Sequence, residues 1–427
     1  MKGLMITGDS SGQGKTVFTM VLCRTLRNMG YEVSPFKTGP DYIDPKFHAL
    51  AASHTAGNLD YHMQGDRGLR ISLGLNQGEI AIIEGAMGYF DGIGNTFEGS
   101  SYDISKRIDT NAILVTTPGA QMFSMIPKLM GMTEFAEGRM VGIVLNKVTE
   151  SYYNKIVPQI EKYTNLKCLG YLPEDERLSI KSRYMGLLKP EEVEGLDEYL
   201  DAAAELMKKH VNIELLMSFA KELNPEKVEI EKTDAKILIA KDDAFCFHYN
   251  ENDKILSALG EVEYFSPMVD EKIGDADLVV FGGGYPELYL RELSQNTSML
   301  KSILEYSKSG GKVLGMGAGL MYLSEGIDDN KMVGALPASA IMTDKTQRFG
   351  YNKITLLEDC LLGNASDEFN AKEFHKSKIE TDLKPLFEVT KTEGKSWECG
   401  YQLNNTLGMY QHLNFAGYID RIKQLIK

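Results

Sequence analysis

The stretch that most restricts the fold is the N-terminal one, in which a short apolar run leads into a turn rich in glycine and serine. Residues 3–7 (GLMIT) are typical of a buried strand, and residues 8–16 (GDSSGQGKT) follow at once. From residue 15 onward, apolar side chains recur at helical spacing until Gly30. A strand, loop and helix in this order direct several backbone N–H groups and the positive end of a helix dipole at one point. The sequence therefore predicts a phosphate-binding loop (P-loop) between a first strand and a first helix.

The loop departs slightly from the strict pattern G-x-x-x-x-G-K-[ST]. That pattern requires a glycine at position 9, which is Asp9, and the glycine lies one residue earlier, at Gly8. This longer loop resembles that of dethiobiotin-synthetase-like enzymes. In such a loop the lysine reaches the β- and γ-phosphates and the threonine binds Mg²⁺, so ATP and Mg²⁺ are the expected cofactors. The expected nucleotide-binding residues are Gly12, Gln13, Gly14, Lys15 and Thr16.

The rest of the chain alternates apolar runs with segments long enough for helices, which predicts an α/β fold with a mostly parallel sheet covered on both faces. Further buried strands are expected at 31–37, 79–85, 112–117 and 140–148. A polar stretch, 221–235, is the best candidate for a linker, the alternative being a surface loop within one domain. After it the strand pattern restarts at 236–243, 261–267, 276–287 and 310–319. We therefore predict an ATP-binding P-loop domain over 1–225 and a second α/β domain over 235–427.

Two charged residues stand at the ends of strands predicted in the first domain. Lys37 closes the run SPFK, and Glu84 closes the run IAIIE. Parallel sheets bind ligands at the carboxyl ends of their strands, and phosphoryl transfer needs a carboxylate for the metal and positive charge for the phosphate. We therefore expect Glu84, together with Thr16, to bind Mg²⁺, and Lys37 to bind phosphate or an acyl phosphate.

Composition excludes several classes of function. A net charge of −14 and a pI near 5.1 give no electrostatic support for binding nucleic acid or an anionic membrane. The five cysteines form no Cys-x-x-Cys pair, which argues against a disulfide framework and against a cysteine zinc site. No apolar run approaches the roughly 18 residues of a membrane-spanning helix. The chain enters its first strand at once, so we expect no signal peptide and a cytoplasmic protein.

Two long stretches fit neither a helical nor a strand period. Residues 35–48 (PFKTGPDYIDPKFH) and 82–92 (IIEGAMGYFDG) closely resemble signature stretches of the cobyrinic acid a,c-diamide synthases, a family that amidates the corrin ring. The resemblance continues in order along essentially the whole chain. It also includes GIVLNKV (142–148), LGYLPEDERLSIKSRYMGL (169–187), DDAFCFHYNEN (242–252), YFSPMVDEKIGDADLVVFGGGYPELY (264–289), EFHKS (373–377) and YQHLNF (410–415).

The resemblance implies a reaction. Enzymes of this family phosphorylate an acetate side chain of a tetrapyrrole with ATP and Mg²⁺, and ammonia then displaces the phosphate to leave a carboxamide. Asn146, in LNK, is implied to contact the adenine. For Asp91, the role of a turn residue in FDGIG is an equal alternative. The residues implied for the reacting carboxylate, the phosphate or the metal are Lys37, Asp41, Asp44 and Asp91.

The second half of the chain departs from the family at one decisive position. Class I glutamine amidotransferases place a nucleophilic cysteine on a sharp strand-to-helix turn, which in this family reads approximately E-C-G-G-L-M-Y-L. Here MGAGLMYL (316–323) puts Gly317 at the cysteine position, and glycine offers no nucleophile for thioester chemistry. The family's oxyanion-hole loop, FGGGYPE (281–287), is retained. His412 matches the base histidine but is expected to be structural, and Asn414 replaces the family's second histidine.

We therefore expect a flavodoxin-like, class I amidotransferase-type domain without glutaminase activity, supplied with free ammonia or with ammonia from a partner glutaminase. Rescue by Cys246 or Cys399 is an open alternative. So are the same chemistry on nickel-sirohydrochlorin or another polycarboxylate, and a non-catalytic paralogue that binds nucleotide or tetrapyrrole. Tyr184 and Lys372, where the family commonly has histidine, are consistent with a changed substrate or role. The resemblance also allows a homodimer.

Overall fold

The computed structural model describes residues 1–178, 193, 195–392 and 394–426, so Tyr184 lies outside the described residues. The chain divides into two compact units. The first consists of Met1–Tyr61 and Asp66–Lys227, and the second of His62–Gly65 and Val228–Lys427. The first unit thus includes the predicted phosphate loop, and the second includes the turn at Gly317.

Strands and helices alternate along most of the first unit. Its strands are β1 (Lys2–Thr7), β2 (Val33–Thr38), β3 (Gly57–Leu59), β4 (Ile80–Glu84), β5 (Asn111–Thr116), β6 (Met140–Asn146), β7 (Lys167–Leu172) and β8 (Lys221–Glu222). Its helices are α1 (Lys15–Asn28), α2 (Asp44–Ala52), α3 (Tyr61–Leu75, broken at Gly65), α4 (Ser101–Arg107), α5 (Met125–Phe135), α6 (Glu150–Tyr163), α7 (Leu196–His210) and α8 (Ile213–Ser218). The sheet has the order β3–β2–β4–β1–β5–β6–β7, and β8 pairs with β1.

The main sheet of the first unit is parallel, as the alternation predicted. From β3 to β7, each strand pairs in parallel with its neighbour. Leu4 and Ile6 of β1 pack in one hydrophobic cluster and Met5 packs in another, because successive side chains of a strand point to opposite faces. Both faces are therefore covered. The strands expected at 3–7, 31–37, 79–85, 112–117 and 140–148 are confirmed within a few residues.

The parallel arrangement brings the carboxyl ends of the strands to one edge of the sheet. In the register of β2 with β4, Lys37 lies opposite Glu84, and Glu84 in turn lies opposite Ile6 of β1. The phosphate loop leaves the same edge after β1, and Asn146 ends β6 there. The first helix then runs from Lys15 to Asn28. The fold therefore gathers the predicted nucleotide residues at a single edge.

The second unit contains a parallel core sheet. Its strands are β9 (Lys236–Ala240), β10 (Glu261–Phe265), β11 (Leu278–Phe281), β12 (Lys312–Met316), β13 (Gly326–Ile327), β14 (Asn330–Lys331), β15 (Ala338–Met342), β16 (Arg348–Leu356), β17 (Glu368–His375), β18 (Ser377–Thr381), β19 (Phe387–Lys391), β20 (Ser396–Cys399), β21 (Tyr401–Leu403) and β22 (Thr406–Met409). Its helices are α9 (Asn250–Leu259), α10 (Leu290–Gln295), α11 (Thr297–Lys308), α12 (Ala318–Leu323) and α13 (Ile419–Ile426). The core sheet has the order β10–β9–β11–β12–β22–β21, parallel except for β21. Among the described residues, no helix of either unit is long and apolar enough to cross a membrane.

Residues 326–399 form two further sheets that the sequence pattern did not reveal. Their orders are β14–β13–β15–β18 and β17–β16–β19–β20, and most of their strand pairs are antiparallel. Such strands bury alternate residues, as β17 buries Phe369, Ala371 and Glu373. A search for continuous apolar runs finds buried parallel strands and passes over half-buried ones, which alternate apolar and polar residues.

The polar stretch 221–235 is attached to the first unit at its beginning. Lys221 and Glu222 pair antiparallel with β1, and the N–H of Glu226 donates to the carbonyl of Arg70 at 2.9 Å. The division between the units follows at Lys227 and Val228. Part of this stretch therefore belongs to the folded first unit.

Candidate active site

The phosphate loop is held in shape by the side chain and carbonyl of Gln13. Gln13 Nε2 donates to Ser10 Oγ (2.7 Å), and Gln13 Oε1 accepts from the backbone N–H of Thr117 (2.7 Å). The Gln13 carbonyl accepts from Asn146 Nδ2 (2.9 Å). Thr117 follows β5 and Asn146 ends β6, so the loop is tied to two neighbouring strands. Asn146 thus supports the loop, and its contact with adenine stays a prediction.

Gly14 is required by the geometry of this loop. Its φ is +91°, in the left-handed region that glycine adopts without strain. A Cβ at this position would overlap Asn146 Nδ2 and lie 3.4 Å from Asn146 Cγ. Both the backbone conformation and the lack of space therefore exclude a side chain at position 14.

Lys15, the first residue of α1, folds back over the loop. Its Nζ donates to the carbonyl of Ser10 at 2.8 Å, and the side chain is buried. Burial is the main cause that lowers the pKa of Lys15; Glu84 opposes this effect and Lys37 adds to it. The amino group of Lys15 is thus held inside the loop, where a bound phosphate would meet it.

Four of the predicted residues meet at the carboxyl edge of the sheet. Lys37 Nζ lies 2.7 Å from Asp44 Oδ2 and 2.7 Å from Glu84 Oε1. Thr16 Oγ1 donates to Glu84 Oε1 at 2.6 Å and lies 3.4 Å from Asp44 Oδ2. We call Thr16, Lys37, Asp44 and Glu84 the carboxylate–lysine cluster. Residues from α1, β2, α2 and β4 are therefore brought together beside the phosphate loop.

The charges of the carboxylate–lysine cluster depend on one another. Burial alone would raise the pKa of Glu84, but Lys37 and a hydrogen bond from His48 outweigh it, and the pKa lies well below its usual range. Burial opposes the charged form of Lys37, yet Glu84 and Asp44 raise its pKa above the usual value. Burial and repulsion by Glu84 raise the pKa of Asp44 to about 6, against the attraction of Lys37. At neutral pH the cluster therefore holds a firm ion pair between Lys37 and Glu84.

One residue that the sequence analysis did not assign completes this site. His48 Nε2 contacts Glu84 Oε2, and both side chains are fully buried. His48 lies four residues after Asp44 on α2, so the two side chains project from one face of the helix. That spacing, in a helix begun by Asp44 and Pro45, was the signal in the sequence that could have found His48.

Asp41 lies beside the cluster and stabilises the start of α2. Its Oδ1 accepts from the backbone N–H groups of Ile43 (2.8 Å) and Asp44 (3.1 Å). Asp41 is also among the charges that raise the pKa of Lys37. The carboxylate thus acts on the site through the backbone and its charge, and a direct part in catalysis stays a prediction.

Asp91 closes a turn against the phosphate loop. Its Oδ2 accepts from the backbone N–H of Gly88 (2.8 Å). In the same turn the N–H of Tyr89 donates to the carbonyl of Gly8 (2.8 Å). These bonds give Asp91 the role of a turn residue and place it near Lys15, whose pKa it helps to raise. A role at the reacting carboxylate stays a prediction.

The side chains at this edge suit a magnesium ion that is bound together with phosphates. The described part of the chain contains no group of three or more His, Cys, Asp and Glu side chains that could hold a metal by themselves. Mg²⁺ is usually bound by one or two carboxylates together with waters and substrate phosphates. Thr16 Oγ1 and Glu84 Oε1 offer adjacent oxygens, and the ammonium of Lys37 already lies between two carboxylates. The residues therefore fit the ion.

In the second unit, Gly317 forms the sharp turn that the sequence predicted. It lies between β12 and α12, with φ 56° and ψ −108°. Its N–H donates to the carbonyl of Met409 (2.8 Å), and the N–H of Gly319 donates to the carbonyl of Gly282 (3.2 Å). The turn thus keeps a backbone conformation that is strained for any residue with a side chain.

The imidazole of His412 occupies the space next to this turn. A Cβ added to Gly317 would lie 2.6 Å from His412 Cε1 and closer still to Nε2. A Cβ added to Gly283 would overlap His412 Cε1 and lie 3.1 Å from Nε2. Burial, and then the nearby Lys372, lower the pKa of His412 to about 3. A neutral ring therefore fills the place where a nucleophilic side chain would stand.

The two cysteines considered as substitutes differ in their surroundings. All five cysteines are free thiols. Cys399 is buried, and burial raises its pKa to about 11, so almost no thiolate is present at neutral pH. Cys246 is partly exposed and precedes Phe247, whose N–H donates to the carbonyl of Gly283 (3.0 Å). Cys246 is therefore the thiol to examine for a replacement nucleophile.

Comparison with known proteins relates both units to one family. Residues 4–187 match the CobQ/CobB/MinD/ParA nucleotide binding domain, and residues 236–418 match the CobB/CobQ-like glutamine amidotransferase domain. The chain is 37% identical to the cobyrinate a,c-diamide synthase of Clostridium tetani and 39% identical to that of Clostridium acetobutylicum, each over 100% of both chains. The chain belongs to the cobyrinate a,c-diamide synthase family.

Family membership confirms the resemblance seen in the sequence. A third relative with the same name, from Fusobacterium nucleatum, is 35% identical over 100% of both chains. The expected fold class, a nucleotide-binding domain followed by an amidotransferase-type domain, is confirmed, and so is the expectation of an amide-forming ligase. Within this family the chain has Gly317 at the turn and His412 against it.

Proposed function

We propose that this chain is an ATP- and Mg²⁺-dependent ligase that converts peripheral acetate carboxylates of cobyrinate into carboxamides through an acyl phosphate. Its relatives are named cobyrinate a,c-diamide synthases. The observation that carries the proposal is the carboxylate–lysine cluster, in which Lys37 Nζ lies 2.7 Å from both Asp44 and Glu84. A chain that only bound nucleotide would have less use for a buried carboxylate and a second lysine beside the phosphate loop.

In the proposed first step, an acetate oxygen of the substrate bonds to the γ-phosphorus of ATP. The bond between that phosphorus and the bridging oxygen breaks, and ADP leaves. Lys15 and Lys37 supply positive charge to the phosphoryl oxygens as this charge moves. Thr16 and Glu84 would hold Mg²⁺, which neutralises phosphate charge when bound. The product is an acyl phosphate on the acetate side chain.

In the proposed second step, the nitrogen of ammonia bonds to the acyl carbon. The bond from that carbon to the phosphate oxygen breaks, inorganic phosphate leaves, and the nitrogen releases a proton to it. Lys37 remains beside the leaving phosphate and stabilises its negative charge. The side chain ends as a carboxamide.

We infer further that the nitrogen comes from free ammonia or from a separate glutaminase. Glycine at position 317 has no side chain to form a thioester with glutamine, and the ring of His412 lies where that side chain would be. Loss of an attacking residue commonly lowers a rate by several orders of magnitude. The second unit is thus an amidotransferase fold without its own hydrolytic nucleophile.

The test is an assay of ADP and amide formation with cobyrinate, with ammonium chloride or glutamine as the nitrogen source. We expect turnover with ammonium, and a rate with glutamine at least about 100-fold lower. Equal rates would contradict the inferred nitrogen source. Treatment with an electrophilic glutamine analogue, followed by mass spectrometry, would then show whether Cys246 has taken the nucleophile's place.

The same assay separates the proposal from its alternatives. Turnover with nickel-sirohydrochlorin but not with cobyrinate would keep the chemistry and change the substrate. Tight binding of a tetrapyrrole with no turnover under either nitrogen source would contradict a ligase and favour a non-catalytic binding protein.

A further inference from the structure

We propose that His48 is a positioning residue that orients the carboxylate of Glu84 and thereby fixes the Mg²⁺ site beside the phosphate loop. The inference rests on the proposed ATP- and Mg²⁺-dependent function. Its basis is the way in which the two oxygens of Glu84 are shared. Oε1 lies 2.7 Å from Lys37 Nζ and 2.6 Å from Thr16 Oγ1, whereas Oε2 contacts His48 Nε2. His48 therefore holds the oxygen that faces away from the nucleotide residues.

The burial of this pair makes the contact consequential. Both side chains have no exposed surface, and a buried carboxylate is stable only when its oxygens are hydrogen-bonded or paired with charge. Without a donor at Oε2, the carboxylate of Glu84 would turn so that both oxygens approach Lys37. That rotation would move Oε1 away from Thr16 and separate the two oxygens that suit Mg²⁺.

The second nitrogen of His48 shows that the ring is not an ordinary packed histidine. His48 Nδ1 is buried and has no hydrogen-bond partner among the described residues. Buried polar atoms are normally paired, and a residue needed only for packing could be apolar. The ring therefore keeps a single polar contact, to Glu84, and we assign its proton to Nε2 because a carboxylate oxygen accepts.

One helix controls both ends of the cluster. Asp44 and His48 lie on the same face of α2, and Pro45 stands in its first turn. Asp44 contacts Lys37, and His48 contacts Glu84. The position of α2 therefore fixes the phosphate-binding lysine and the metal-binding carboxylate together, and ligand-supporting contacts of this kind commonly change metal affinity 10- to 100-fold.

The test measures metal binding separately from catalysis. Mn²⁺, a paramagnetic substitute for Mg²⁺, is titrated into the full chain with a non-hydrolysable ATP analogue, and the free ion is followed by EPR. His48→Met removes the donor, whereas His48→Gln keeps an N–H near the position of Nε2. We expect His48→Met to weaken Mn²⁺ binding about 10- to 100-fold and His48→Gln to restore most of it. With ammonium and cobyrinate, the Mg²⁺ concentration for half-maximal rate should rise far more than kcat falls.

Phe47→Leu is the matched control, because Phe47 is fully buried in the hydrophobic core on the same helix. It should lower the melting temperature and leave Mn²⁺ binding unchanged. A folded His48→Met with unchanged Mn²⁺ affinity would overturn the inference, as would a His48→Gln as weak as His48→Met. If His48→Met does not fold, His48→Asn, whose shorter amide falls short of Glu84, replaces it with the same expectations. Mn²⁺ binding requires no tetrapyrrole, so failure of the amidation proposal and failure of this inference give different results.

Discussion

Each of the two units carries a site at the carboxyl edge of a parallel sheet, but the two sites retain different amounts of their chemistry. Beside the phosphate loop, Lys37 lies 2.7 Å from two carboxylates, and Glu84 is bonded on both oxygens. At the turn of the second unit, Gly317 keeps the strained backbone while the neutral ring of His412 fills the adjacent space. The first site is held by charges and the second by packing.

This difference shows how strongly each site depends on its members. A buried ion pair that loses one partner leaves an uncompensated charge, which is strongly destabilising, so the carboxylate–lysine cluster tolerates little change. At the second site, an uncharged ring can take up the space left by a missing side chain without leaving a charge unpaired. A nucleophile can therefore be lost there while the fold is kept.

The largest effect is expected when the two sites are compared by removing one cationic or basic side chain from each. Lys15→Ala takes an ammonium from the phosphate loop and should lower ammonium-dependent turnover about 100- to 1000-fold, with weaker ATP binding. His412→Gln should leave the same rate nearly unchanged, because its ring has no nucleophile to activate. Steady-state kinetics and calorimetric nucleotide titration measure both effects. Normal activity of Lys15→Ala, or an equal loss in His412→Gln, would remove the contrast between the sites.

A smaller effect, on stability, is expected from a methyl group at the turn. Gly317→Ala adds a Cβ that would lie 2.6 Å from His412 Cε1, at a φ of 56°. Strain and overpacking together should lower the free energy of unfolding by about 2–4 kcal/mol. Chemical denaturation of the intact chain measures the change.

Two further variants separate strain from overpacking at this turn. Gly334 also has a positive φ, +68°, and its Cβ would meet only Glu325 Cα, at 4.0 Å, so Gly334→Ala should cost about 1–2 kcal/mol from backbone strain alone. In a His412→Ala background, Gly317→Ala should cost no more than this control. An unchanged cost in that background would show that the ring does not fill the space of the missing side chain.

The smallest effect concerns pH. The pKa of His412 is about 3 in the folded chain and about 6.5 when unfolded, so below pH 6.5 the unfolded state takes up the proton first. The stability contribution is complete above about pH 6.5 and is lost as the pH falls toward 3. Between pH 7 and pH 5 the wild type should lose about 2 kcal/mol more than His412→Gln. Denaturation curves at pH 7, 6 and 5 measure this difference; parallel pH profiles would mean that the ring is not held neutral.

Much of the first site could be predicted from the sequence, because strand ends and glycine-rich turns are local features. Lys37 and Glu84 were placed at one edge by the ends of their apolar runs, and register then put them opposite each other. His48 was missed, because nothing in its own neighbourhood shows that a carboxylate of another strand lies against it. The sheets of residues 326–399 were missed because alternating, half-buried strands leave a weak pattern.

By itself the sequence determined where the strands and the phosphate loop lie and that position 317 has no nucleophile, since these depend on local periodicity and residue identity. Only the tertiary structure decided that His48 holds the free oxygen of Glu84 and that His412 lies against Gly317 and Gly283. Those contacts join residues far apart in the chain. They form because close packing leaves each buried side chain one set of neighbours, and that set is fixed by how whole strands and helices are arranged.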